Sequence, residues 1–247
     1  MRTVTAVASG AAGLALASVL VGCGGDSPSS DSSPAAGAAA LASSGDRLVV
    51  TTENGLRLRP TDGDRVTVDD GVDHRWSHRD HTWVLDLTCK GTGQCPRMPR
   101  VAVPDDTAVT VVARNAGIDA AGVPGALDLT TVNGDVTVAD AGADGAAVRL
   151  TTRNGSVRAT GVRARSLAAE TVNGDVVLGC ADAPRRLSAT TVNGTASAVL
   201  PHDAPAYRTT ATTDNGRPFV SVPAEGAAAD RTLTLSTVNG DVRARRD

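Results

Sequence analysis

The sequence predicts an all-β chain wound as a β-solenoid, β-helix-like, of about 20-residue repeats with Asn-Gly turns, and three observations predict it. The first is a phrase. Thr131-Val132-Asn133-Gly134-Asp135-Val136 recurs whole at 171–176 and 237–242, in part at 191–194, and more loosely at 152–157 and 213–216. Its asparagines stand at 133, 154, 173, 193, 215 and 239, in steps of 21, 19, 20, 22 and 24 residues. A near-constant step of this size marks stacked repeat units.

The second observation is the company each asparagine keeps. Leu127, Val148, Leu167, Leu187 and Leu233 stand six residues before it, and Thr131, Thr152, Thr171, Thr191 and Thr237 two before it. Val136, Val157, Val176, Ala196 and Val242 follow three after it. Strand side chains alternate with period two, so these sets share one inward face. The third observation is composition: aromatics make up 2% of the 247 residues. A wide sandwich fills its middle with Phe, Tyr and Trp, whereas Val, Leu and Ala suit a narrow interior.

Asn133-Gly134, Asn154-Gly155, Asn173-Gly174, Asn193-Gly194, Asn215-Gly216 and Asn239-Gly240 are the expected repeat turns. Both residue types tolerate positive φ. Two arrangements use them. Each pair can close a type I′ hairpin in an antiparallel meander or sandwich, or turn the corner of a coil that stacks on the next in parallel. The constant step favours stacking, because it lays Leu over Leu, Thr over Thr and Asn over Asn.

Taken in order, residues 1–22 read as an export signal. Arg2 gives a positive start and Val4 to Leu20 is apolar and Ala-rich, too short and interrupted for a firm span. Leu20-Val21-Gly22-Cys23 resembles the lipobox of bacterial lipoproteins, which implies cleavage after Gly22 and lipid on the Cys23 sulfur. Buried lipid gains about 0.8 kcal/mol per methylene, and two chains hold lastingly. The expected location is the outer face of the bacterial cell membrane, with the membrane itself as one partner. Residues 23–46 then form a Ser/Gly/Pro/Ala tether with no periodicity and no assigned structure.

Residues 47–103 precede the repeats. Leu48, Val50 and Thr52 alternate before Asn54-Gly55, and Leu56 and Leu58 after it, as in strand–turn–strand. This unit is one residue out of phase with later ones, so it reads as a degenerate first unit or a cap. Val66 and Val68 mark a short strand, and Trp83, Leu85, Leu87 and Cys89 a longer one. Between them His74, His78 and His81 fall close together beside Asp73 and Asp80. Imidazole and carboxylate are zinc and copper ligands, but this spacing suits a helix face, and the surroundings read as strand and turn. The plainer reading is a polar connection around Trp76, with no metal.

Outside a membrane thiols tend to be oxidised. With Cys23 lipidated, Cys89, Cys95 and Cys180 remain, and the local bridge, Cys89–Cys95, is the expected one. Cys180 shares the inward phase of Val176 and Leu178 and reads as a small buried residue. The aspartates after the turns, Asp135, Asp175 and Asp241, read as outward and solvated, because a calcium site needs six to eight oxygens.

The repeat with Leu-x-Leu ahead of it resembles the bacterial putative-adhesin domain family, surface β-repeat proteins. The likeness spans Asp46 to Asp247 and is strongest from Ala126. It implies a β-helical fold over 47–247, a lead-in over 47–103, a repeat body over 104–247, and a cell-envelope setting. It carries no catalytic residues and no cofactor. Net charge is −3 with both signs mixed, so no nucleic-acid footprint is visible. The expected function is a non-enzymatic, lipid-anchored binding or structural module facing an envelope polymer or protein. Two alternatives stand beside it: a polysaccharide-active β-helix enzyme, and a metal-responsive lipoprotein using His74, His78 and His81. The first lacks clustered carboxylates and sugar-stacking aromatics in the repeat body.

Overall fold

The computed structural model describes residues 38–40, 46–88, 96–105, 107–223 and 230–247, all within one unit, Pro34–Asp247. Cys23, Cys89 and Cys95 lie outside the described residues. The described chain is all strand and turn. No helix among the described residues is long and apolar enough to cross a membrane.

The strands of the lead-in are β1 (Ala38–Ala40), β2 (Arg47–Thr52), β3 (Leu56–Thr61), β4 (Arg65–Val68), β5 (Asp73–Arg79), β6 (Thr82–Thr88) and β7 (Arg100–Pro104). The repeats begin with β8 (Ala108–Ala113), β9 (Ile118–Ala121), β10 (Leu127–Thr130), β11 (Val136–Ala139), β12 (Ala147–Thr151) and β13 (Val157–Val162). They continue through β14 (Ser166–Glu170), β15 (Val176–Cys180), β16 (Arg186–Thr190) and β17 (Ala196–Leu200). The last four are β18 (Arg208–Asn215), β19 (Pro218–Ser221), β20 (Thr232–Asn239) and β21 (Val242–Arg246).

These strands form two sheets. One has ten strands in the order β5-β6-β2-β8-β10-β12-β14-β16-β20-β18; the other has eleven in the order β1-β4-β7-β3-β9-β11-β13-β15-β17-β21-β19. From β8 to β21 every pairing is parallel. Each coil therefore gives one strand to each sheet and turns between them at Asn-Gly, and the solenoid, not the hairpin meander, is the fold.

Register carries the sequence pattern into the core. Leu127, Val148, Leu167, Leu187 and Leu233 lie side by side across five strands. Val136, Val157, Val176, Ala196 and Val242 do the same in the facing sheet. All ten are buried. A fully buried Leu or Val contributes about 1.5–3 kcal/mol, and the same contact recurs coil after coil. Thr131, Thr152, Thr171, Thr191 and Thr237 are buried as well, and each donates its hydroxyl to a corner carbonyl of a neighbouring coil: Thr131 to Ala116, Thr152 to Gly134, Thr171 to Gly155, Thr191 to Gly174 and Thr237 to Gly194, at 2.8–2.9 Å. A buried carbonyl without a donor costs about 1–3 kcal/mol, so these hydroxyls explain why Thr fills an inward place among aliphatics.

Four expectations need correction. No repeat asparagine takes a positive φ; the glycine alone does so, at Gly155, Gly174, Gly194 and Gly240, for example 150° at Gly174 and 153° at Gly194. The corner of a parallel coil uses at most one such residue, whereas a type I′ hairpin needs two. Next, the last two coils are not stacked in chain order. β20 and β21 insert between β16/β17 and β18/β19, so Asn193 neighbours Asn239, and Asn215 lies beyond it. The inward side chains give the reason: Leu233 and Leu235 must be covered, whereas Thr209, Ala211 and Thr213 tolerate the half-covered end position.

The unit built on Asn54-Gly55 is the first coil of the chain but not of the stack, and it is not a cap. β2/β3 is a full coil packed between β6/β7 and β8/β9, with Leu48, Val50, Leu56 and Leu58 wholly buried. Finally, part of the expected structureless tether is ordered: Ala38–Ala40 pairs antiparallel with β4.

Candidate functional site

Outward residues follow from the same alternation: if Leu150 and Leu167 point in, Arg149, Thr151, Ala168 and Glu170 point out. On the ten-stranded sheet this produces two rows running across the strands. One reads Val112, Thr130, Thr151, Glu170, Thr190, Ser236, Thr212, and the other Thr110, Asp128, Arg149, Ala168, Ser188, Thr234, Thr210. Hydroxyls dominate both. The surface dips where Ala168, the smallest member, interrupts the second row. The depression has a volume of about 110 Å³ and is lined by Arg149, Thr151, Ala168, Glu170, Ser188 and Thr190 among others. It therefore offers a cation, a carboxylate and three hydroxyls above a methyl floor. The sequence signal for these residues was the period-two pattern read on its polar side. A second depression, of about 260 Å³, lies on the other sheet over Pro60, Thr67, Asp69, Arg100 and Ala102. There the Asp69 carboxylate already accepts the Arg100 amide at 2.9 Å.

The predicted turn residues form an exposed ladder along the Asn-Gly corner. Each asparagine amide donates to the side-chain oxygen of the next: Asn154 to Asn133, Asn173 to Asn154, Asn193 to Asn173, Asn239 to Asn193 and Asn215 to Asn239, at 2.8–2.9 Å. Such ladders arise where identical residues stack in register. Val132, Val172, Val192 and Val238 stand exposed beside it. The aspartates are outward, with Asp135 and Asp175 exposed, and each also accepts a backbone amide of a neighbouring coil. Asp135 accepts the Ser156 amide, Asp175 the Thr195 amide and Asp241 the Arg217 amide. The Arg217 hydrogen bond, then that of Arg243, holds the Asp241 carboxyl below its usual range.

The histidines sit on β5 and the turn after it, at the stack's N-terminal end. β5 closes the ten-stranded sheet by pairing antiparallel with β6, so the segment is a strand rather than a polar connection. His74 and His78 share a strand face four residues apart, which is about 13 Å in extended chain. His74 Nδ1 meets the Val72 carbonyl at 2.9 Å, His78 stacks on Trp83 with centroids 4.2 Å apart, and His81 Nδ1 lies 3.2 Å from the buried Asp46 carboxylate. Each histidine has its own neighbour, and no group of three metal-ligating side chains converges among the described residues. Trp76 and Trp83 meet edge to face at 6.2 Å and pack with the core. This aromatic pair covers the end of the aliphatic column.

Cys180 is 8% exposed, and burial pushes its thiol up to about 12. A thiol of that kind is inert. Nearby, Tyr207 is fully buried and donates its hydroxyl to the Pro184 carbonyl at 2.7 Å.

The coils that carry these corners match a described family: the Toastrack DUF4097 model matches residues 118–245, just over half of the chain. The chain belongs to the Toastrack family. The matched span runs from β9 to β21 and includes both the corner ladder and the Ala168 depression. No curated protein matches the chain. Two solved structures are similar to this Toastrack chain. One is a putative cell adhesion protein from Clostridium sporogenes ATCC 15579, 8% identical, with a TM-score of 0.39, covering 85% of this chain and 98% of its own. The other is a putative adhesin from Bacteroides fragilis NCTC 9343, 11% identical, with a TM-score of 0.41, covering 86% and 99%.

Proposed function

We propose that this Toastrack chain is a non-enzymatic, adhesin-like binding module of the bacterial cell envelope. Cys23 carries lipid and holds it to the outer face of the cell membrane, residues 24–37 space it from the headgroups, and Cys89 is bonded to Cys95. The ligand is an envelope polysaccharide, taken up on the outer face of the ten-stranded sheet. One observation carries this reading: ranks of Thr and Ser hydroxyls set on a rigid parallel sheet, with the Arg149–Glu170 depression among them. A polyhydroxyl chain needs many donors and acceptors at fixed spacing, and the sheet supplies them without loss of side-chain order. The leader and lipobox supply the setting.

Retention of purified cell-wall polysaccharide on the immobilised protein tests it. The wild-type chain should retain the polymer, and Ala168→Leu, which fills the depression without touching the core, should weaken retention on the order of tenfold, about 1.4 kcal/mol. No retention by the wild-type chain, or equal retention by the variant, contradicts the assignment. Mass spectrometry of the membrane fraction tests the anchor separately: lipid on Cys23 is expected, and an unmodified thiol there overturns it.

A further inference from the structure

The two ends of the ten-stranded sheet are finished differently. At one end β5 runs antiparallel to its neighbour and carries Asp73, Arg75 and Arg79. Charges along an edge discourage further pairing. At the other end lies β18, eight residues long and parallel to β20, with no strand on its far side among the described residues. The Arg208 amide donates to the Arg231 carbonyl at 2.9 Å. Successive residues of a strand turn their amides to opposite sides, so the groups of Thr209, Ala211 and Thr213 point to the open edge. Their side chains are only half-buried.

The sequence of β18, Arg-Thr-Thr-Ala-Thr-Thr-Asp-Asn, is self-complementary about Ala211. When two copies are laid antiparallel on that centre, Arg208 faces Asp214, Thr209 faces Thr213, Thr210 faces Thr212 and Ala211 faces itself. Opposite charges and Thr–Thr neighbours are the favourable cross-strand pairs. The same centre sets the edge-facing amides of Thr209, Ala211 and Thr213 against carbonyls of the other copy, so backbone and side chains agree on one register. The neighbouring edge strand, β19, starts at Pro218, which has no N–H, and offers much less.

We propose that two copies of this chain associate about a two-fold axis through Ala211, with β18 paired antiparallel to β18 of the second copy. The two ten-stranded sheets become one continuous sheet. The contact uses the same patch on both copies, so it closes at the dimer.

Sedimentation velocity of the full chain over a concentration series tests this, with twice the chain mass expected at the upper end. Ala211→Pro removes the edge-facing amide and leaves every β18–β20 hydrogen bond in place. It should weaken the dimer by roughly a hundredfold while the circular dichroism of the dilute chain stays unchanged. Asp214→Arg sets like charges against Arg208 and should weaken association on the order of tenfold, and adding Arg208→Asp should restore it. The charge swap decides the matter if the proline variant folds poorly. A wild-type chain that stays monomeric throughout, or a swap that restores nothing, overturns the proposal.

Discussion

Gly174→Ala is expected to destabilise the protein by on the order of 2–6 kcal/mol, the sum of backbone strain and overpacking. Gly174 sits at φ 150°, and a Cβ built there collides with the carbonyl of Gly155 and the amide nitrogen of Ser156 in the coil below. Neither neighbour is a flexible side chain that can swing aside. The coils would have to separate locally, which also stretches the Thr171 hydroxyl bond to the Gly155 carbonyl. For a chain of this size the melting temperature should fall by about 5–20 °C. Asn173→Ala is the control. It removes two exposed amide bonds of the ladder and should cost only about 1–2 kcal/mol. Thermal melts by circular dichroism compare the two. A glycine variant melting within a degree of wild type means that the coils do not approach so closely.

Alkali is expected to unfold the C-terminal coils well before it affects the rest. Burial raises Tyr207 from 10.0 to about 12, with Arg231 opposing, and raises Cys180 from 9.0 to about 12. Both groups are neutral when protonated, so the fold holds their protons more tightly than the unfolded chain does. Their contribution is complete below pH 9. It falls as the unfolded chain begins to ionise and is lost once the pH passes about 12. At about 1.4 kcal/mol per pH unit the loss for Tyr207 alone is on the order of 3 kcal/mol. Urea melts at rising pH should show a steep decline in that window. Tyr207→Phe should start lower at neutral pH, because the Pro184 carbonyl loses its donor, and then decline less. An unchanged slope in the variant would place the alkaline sensitivity elsewhere.

The repeat body was legible because its signal is redundant. Any one of Leu127, Val148, Leu167, Leu187 or Leu233 could be misread, but five at one position fix a face, and that face is the core. The coil order was less so. The phrase around Asn239 is complete and that around Asn215 is degraded, yet both fit a corner equally well, and turn chemistry does not report which coil is covered. The information lay in the inward positions, where Thr209 and Ala211 stand in β18 and Leu233 and Leu235 in β20. The lead-in hid more, because its neighbours in space are distant in sequence: β2 pairs with both β6 and β8, and β3 with β7 and β9. The Ala168 depression was invisible for another reason. It is defined by one small outward residue among larger ones in adjacent coils, so it exists only once the coils are in register.

The central claim is parallel stacking in register, with the final coil inserted next to β16, and engineered cysteine pairs test it directly. Ser188 is the register partner of Thr234 and lies two strands from Thr210. Neighbouring strands lie about 4.8 Å apart, within disulfide reach, whereas two strands lie about 9.6 Å apart, beyond it. Under mild oxidation, Ser188→Cys with Thr234→Cys should form an intramolecular bond, mapped by peptide mass, and Ser188→Cys with Thr210→Cys should not. Bonding of the second pair without the first would contradict the account.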